Sequence, residues 1–192
     1  MTERATWTDE LRALDSAVYA AVAETPTPRL DAVLQPLTSA ADHSKLWMAV
    51  AAAAALAGGR RGRRGAVEGL AAIGLASASV NLVLKNLNRR ERPDRAGVGV
   101  PEQRHVTMPT STSFPSGHSA SAFAFAGGMA HAVPALGIPL HLGSATVAYT
   151  RVHSGVHYPG DVIAGSLIGI ACGQLAPRTV RAVSALLARR RG

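Results

Sequence analysis

Long apolar stretches, punctuated by short arginine clusters, constrain this chain more than any other feature. The apolar stretches run over about 44–59, 65–87, 117–133, 136–150 and 160–176, and the last extends as a helical pattern to about 188. The clusters are Arg60-Arg61-Gly62-Arg63-Arg64, Arg89-Arg90-Glu91-Arg92 and Arg189-Arg190-Arg191. A run of about 20 apolar residues crosses a bilayer as a helix, and arginine collects at the ends of such runs. These runs are short and rich in Ala, Gly and Ser, which lets neighbouring helices approach closely inside a membrane. The expected fold is therefore all-α: an integral-membrane helical bundle with about five spans. The rival is a soluble Ala-rich helical bundle. Net charge separates the partners. The chain is 47% hydrophobic yet carries a formal charge of +8. A basic chain of this size raises nucleic acid as a partner. Aromatics make up only 4% of the residues, too few for base-stacking platforms, and the arginines are clustered rather than spread along one helix face. No nucleic acid is expected; the bilayer is the expected partner.

Residues 1–43 read as an amphipathic N-terminal segment and 44–192 as a membrane-embedded domain. Positions 8–24 place apolar residues at helical spacing with acids on the other side. Thr25 to Pro28 break that pattern, and a second amphipathic piece reaches about Ala41. No signal peptide is visible in the polar stretch Met1 to Glu10. Trp47 sits near the start of the first span, as an interfacial anchor does. A polar loop fills 88–115. Cys172 lies in an apolar run and reads as a small packing residue.

Chemistry-bearing residues collect at span ends. Lys85 closes the second span, and Arg92-Pro93 stops it a few residues on. Read alone, this is a basic helix end that suits the helix dipole. Phe114-Pro115-Ser116-Gly117-His118-Ser119 opens the third span with Ser116 as its N-cap. The N–H groups of Gly117, His118 and Ser119 then face out of the helix start, where phosphate binds readily. Gly117 lets an oxyanion approach the backbone, and His118 stands beside it. The third segment runs from Arg151 through His153 and His157 to Asp161. Pro159 suits the first turn of the last span, and Asp161 the acidic preference there. Four residues apart on a helical turn, Asp161 can reach the His157 imidazole and fix its tautomer. On that spacing an Asp161→Asn change would cut the rate and leave folding intact. A zinc pair from His153 and His157 is the competing reading. Gly155 and Pro159 argue against one continuous helix, and no HExxH pattern is present.

Together the segments resemble the type-2 phosphatidic acid phosphatase superfamily. Its signature is Lys, six residues, Arg-Pro; then Pro-Ser-Gly-His; then Ser-Arg, five residues, His, three residues, Asp. Lys85, Arg92 and Pro93 match the first part, Pro115 to His118 the second, and Arg151, His157 and Asp161 the third. Thr150 stands where the family usually has Ser, which keeps a hydroxyl. The resemblance covers about 44–176.

The resemblance implies a metal-independent membrane lipid phosphatase, with no cofactor, acting on a phosphomonoester or diphosphate of a phospholipid or prenyl lipid. It implies that His157 attacks phosphorus to form a phosphohistidine, that Asp161 orients it, and that His118 protonates the leaving oxygen and then activates water. Lys85, Arg92 and Arg151 would hold the phosphoryl oxygens with Ser116 and Gly117, doing the charge work that Mg²⁺ does elsewhere. Arg95, His105 and His153 are candidates to support that set. Decaprenyl-phosphoryl phosphoribose, a cell-wall precursor, is a further candidate substrate. A non-catalytic membrane scaffold is the non-enzymatic alternative, though it would have no need of His118, His157 and Asp161 together. Relatives that bind vanadate to oxidise halides, or that are soluble acid phosphatases, fit the apolar spans poorly. The motifs must meet on one membrane face. The second span ends there and the last begins there, so the Arg60–Arg64 loop and the Arg178–Arg191 tail share the other face. That basic face is expected to be cytoplasmic, in the cell inner membrane, with the site facing outward.

Overall fold

The computed structural model describes residues 6–190, so Met1 to Ala5 and Arg191 of the last cluster lie outside the described residues. Apolar runs with helix-forming Ala and Leu become helices, and no strand is present among the described residues. Amphipathic helices α1 (Trp7–Glu24) and α2 (Pro28–Ala40) come first. Then follow α3 (Lys45–Ala57), α4 (Gly59–Ala78), the short α5 (Lys85–Leu87), α6 (Gly117–Ala132), α7 (Gly137–His153) and α8 (Pro159–Arg189). A π-helical stretch, Ser79–Leu84, joins α4 to α5 without a break. Wide turns of this kind sit often at functional sites. Here it delivers Lys85.

The α3–α4 connection differs from the sequence expectation. Arg60 to Arg64 occupy the first turns of α4 rather than a loop, because Gly59 takes a positive φ of 57° and the chain reverses there.

Helix packing decides where the site forms. Gly165, Gly169 and Gly173 make a stripe along α8 that rests on the backbone of α6. A Cβ at Gly165 would come within 2.4 Å of the Ser116 carbonyl oxygen, and one at Gly169 within 2.4 Å of that of Ala120. No side chain fits at that approach, so glycine there sets the interhelical distance. The Ser116 N–H donates to the Asp161 carbonyl at 2.9 Å, which ties the starts of α6 and α8 together. Between α3, α4, α6 and α7, Trp47, Phe125, Met129 and Val147 fill the core. Outside the core, Leu56, Leu82, Ile138, Leu142, Ile163 and Leu167 are well exposed. Two helical stretches, Gly59–Leu87 and Pro159–Arg189, are long and apolar enough to cross a membrane.

Candidate active site

A cavity of about 370 Å³ opens between the α2–α3 turn, α4–α5, the 88–115 loop, the start of α6 and the end of α7. Lys85, Arg92, Gly117, His118, Arg151 and His157 all line it. Two predicted residues sit behind the wall instead. Ser116 is buried, and its hydroxyl caps α6 by accepting from the Ser119 N–H at 3.4 Å. Asp161 is buried beneath His157.

The tautomer of His157 follows from its neighbours. Arg92 Nη1 stands 3.2 Å from His157 Nε2. Guanidinium can only donate, so Nε2 presents its lone pair toward Arg92 and the cavity. Nδ1 then carries the hydrogen and donates to Asp161 Oδ2 at 3.4 Å. Asp161 also accepts from the Tyr158 N–H at 2.9 Å, from Arg90 Nη1 at 3.0 Å and from the Ser113 hydroxyl. Burial, the largest influence, pushes the His157 imidazole down to about 4, and the Arg92 charge adds to it against the pull of Asp161. The ring is therefore neutral, with its lone pair on Nε2, at neutral pH.

Cationic groups surround that nitrogen. Arg92 is braced by Ser111 O at 2.8 Å and Val156 O at 2.8 Å. Lys85 Nζ donates to Ser111 Oγ at 2.9 Å. Arg151 is only 1% exposed; its Nη1 donates to Thr38 Oγ1 at 2.7 Å, and its buried Nε has no partner among the described residues. A guanidinium that lines one cavity together with a lysine, a second arginine and a helix start is suited to a phosphoryl group.

Several contributors have no local sequence signal. Arg90 pairs with Asp15 at 2.6 Å as well as with Asp161, and its guanidinium lies 4.1 Å over the Tyr158 ring. Asp15 also accepts from the Gly160 N–H at 2.6 Å. Asp31 accepts from Arg104 Nε at 2.9 Å and from His153 Nε2 at 2.8 Å. Asp42 Oδ1 lies 2.9 Å from His118 Nε2. One acid from α1, one from α2 and one from the turn after them thus meet groups on the cavity side of the bundle. His153, turned to Asp31, lines a small separate cavity rather than the main one. His105 Nε2 bonds the Val100 carbonyl at 2.9 Å and Arg95 Nη1 the Val106 carbonyl at 2.8 Å, so both shape the loop over the site. Thr150 donates to Val147 O at 2.7 Å and faces Thr38, a scaffold contact.

The PAP2 superfamily model matches residues 65–184, most of the chain and all of the motif residues that line the cavity. The chain belongs to the PAP2 superfamily. Among its relatives is decaprenylphosphoryl-5-phosphoribose phosphatase of Mycobacterium tuberculosis, 33% identical over 149 residues, 77% of this chain and 79% of that protein. The Mycolicibacterium smegmatis protein of the same name is 37% identical over 153 residues, 78% of this chain and 77% of that protein. Among solved structures, LpxE of Aquifex aeolicus aligns with a TM-score of 0.69 at 25% identity, covering 86% of this chain and 95% of that one. The transmembrane PAP2-type phosphatidylglycerolphosphate phosphatase of Bacillus subtilis also gives 0.69, at 24% identity, over 92% of this chain and 89% of that one. This PAP2 protein is a membrane-associated phosphatase that acts on lipid phosphates.

Proposed function

We propose that this PAP2 phosphatase removes the terminal phosphate of a polyprenyl-phosphoryl sugar phosphate of the decaprenylphosphoryl-5-phosphoribose class, through a phosphohistidine on His157. The match at 33% and 37% identity over about three quarters of the chain to two phosphatases of that name carries the substrate class. Lys85, Arg92 and Arg151, with the Gly117 end of α6, hold the phosphoryl oxygens. Nε2 of His157 attacks phosphorus in line with the leaving sugar oxygen, and Asp161 stabilises the imidazolium that forms. Fixed positive charge takes the place of a divalent ion. The test is phosphate release by the purified protein from a prenyl-phosphoryl phosphoribose phosphate, phosphatidic acid, phosphatidylglycerophosphate and a prenyl diphosphate. The expected result is a kcat/KM at least about tenfold higher on the first, unchanged by EDTA and lowered by vanadate; a tenfold preference needs only about 1.4 kcal/mol of differential transition-state binding. A preference for phosphatidic acid overturns the substrate class, and loss with EDTA that added metal reverses overturns the metal-free mechanism.

We further infer a multi-pass protein of the inner membrane, with α3, α4–α5, α6, α7 and α8 as five spans and the cavity facing outward. The motifs sit at one end of the bundle, and α4 begins and α8 ends at the other, where Arg60, Arg61, Arg63, Arg64, Arg178, Arg181, Arg189 and Arg190 gather. Arginine favours the cytoplasmic side. The exposed stripe Trp7, Leu11, Leu14 and Val18 on α1 suits a helix lying in the interface beside the site. Single cysteines in a Cys172→Ser background test the orientation. Gly62 is unsuitable, since a Cβ there would meet the Ala54 carbonyl oxygen at 2.0 Å. Arg61 and Ala96 are exposed and serve instead. Arg61→Cys is expected to stay unlabelled by an impermeant reagent in intact cells while Ala96→Cys reacts. The reverse pattern would place the phosphatase site in the cytoplasm.

A further inference from the structure

We propose that Asp42, on the turn between α2 and α3, is the residue that positions His118, so that the site runs on a second His–Asp pair built from outside the family motifs. The inference rests on the reading of His118 as general acid. Asp42 precedes residues 65–184, which the family model matches, and no motif points to it.

The geometry carries the assignment. Asp42 Oδ1 lies 2.9 Å from His118 Nε2 and 3.8 Å from Arg151 Nη1. An ionised carboxylate only accepts, so Nε2 carries a hydrogen and Nδ1 becomes the nitrogen that exchanges a proton with substrate. The His157 pair uses Nδ1 toward Asp161; the His118 pair uses Nε2 toward Asp42. Asp42, His43 and Ser44 themselves line the cavity. The turn holding them is unusual: His43 and Ser44 have φ of 53° and 60°, a left-handed conformation that non-glycine residues rarely adopt twice in succession. Strain of this kind persists where surrounding contacts enforce it, and it gathers at functional sites. Asp42, the first residue of that turn, is the one in contact with His118 and Arg151.

The chemistry follows in two steps. His157 Nε2 forms the bond to phosphorus as the bond to the leaving oxygen breaks, and the proton on His118 Nδ1 passes to that oxygen. A water then gives its proton to His118 Nδ1, its oxygen bonds phosphorus, the P–N bond breaks and phosphate leaves. In both steps the imidazolium form of His118 is needed at a defined moment, and the Asp42 carboxylate stabilises it.

Two substrates separate this role from a structural one. A short-chain phosphatidic acid has an alkoxide leaving group that needs a proton, whereas p-nitrophenyl phosphate hardly does. In the full-length detergent-solubilised protein, His118→Ala is expected to lose about 10²–10⁴-fold in kcat on the former and far less on the latter. Asp42→Asn should show the same split at about 10²-fold, the lower end of that range. The Asp42→Asn/His118→Ala pair should be no slower than His118→Ala alone, because both act on one proton transfer. Asp42 is 39% exposed on its side chain, so the isosteric amide leaves the fold standing; a melting curve checks this, and Asp42→Ser is the second variant. Equal losses on both substrates, or losses that multiply in the double variant, overturn the proposal. If His118→Ala splits the substrates and Asp42→Asn does not, the role of Asp42 alone is wrong. If His118→Ala itself shows no split, the general acid is wrong and the proposal falls with it.

Discussion

Phosphate release by His157→Ala is expected to fall to the background of a mock preparation, and Asp161→Asn to cut kcat by about 10⁴-fold, as when the acid of a hydrolase triad is neutralised. The first follows because the His157 lone pair lies in the cavity beside the Arg92 guanidinium, where a phosphoryl group would be held. His157 Nε2 points at Arg92, and His118 Nε2 is taken by Asp42. The second follows because an Asn amide cannot accept from the Nδ1 hydrogen with its NH₂ group, and the wrong tautomer then places a hydrogen on Nε2. The tertiary contacts revise the stability expectation for that variant. Asp161 accepts from Tyr158 N, Ser113 and Arg90 as well as from His157, so an amide must set a donor against a donor. Arg90 keeps Asp15 as a partner, which holds the cost below the about 3–5 kcal/mol of an orphaned buried charge. A melting temperature lower by several degrees is expected, at about 2–4 °C per kcal/mol for a chain of this size. Quenched-flow trapping with radiolabelled substrate should show an acid-labile phosphoenzyme in wild type and none in His157→Ala. Wild-type turnover by a purified His157→Ala protein would remove His157 as nucleophile.

Arg92→Ala should cost about 10²–10³-fold in kcat, the range for removal of one donor to a developing oxyanion, and Arg92→Lys should recover little of it. The reason is that Arg92 uses the whole fork. Its Nε reaches Ser111 O, its Nη1 reaches Val156 O and His157 Nε2, and its Nη2 lies 3.3 Å from both Ser111 Oγ and Thr112 O. A lysine ammonium supplies charge without that geometry, so it cannot brace the 88–115 loop and face the phosphoryl group at once. The vanadate inhibition constant is the independent measure, since it reports the oxyanion cradle without the chemical step. A lysine variant with wild-type kcat and vanadate affinity would show that Arg92 acts as charge alone.

Local sequence was enough for the helices and for the motif residues. Apolar runs closed by Gly, Pro and arginine mark α3 to α8 because helix formation and termination are short-range events. The His157–Asp161 spacing was legible for the same reason: one turn of helix places both side chains on one face. The arginine run at 60–64 reads as a loop in sequence but opens α4, because the Gly58-Gly59 reversal is tighter than composition suggests. Ser116 illustrates another limit. A serine before a helix is equally suited to cap it or to meet phosphate, and only the Ser119 contact and its burial assign the hydroxyl to the cap. Asp15 and Asp31 look in sequence like the solvent side of amphipathic helices, and Asp42 like a polar residue just past the second of them. Tertiary structure alone pairs them with Arg90 and Gly160, with Arg104 and His153, and with His118 and Arg151. The partners lie far along the chain, and an acid on a helix face has the same local pattern whether it meets water or a buried cation. Pairing of that kind is decided by how α1 and α2 dock, which no window of sequence contains.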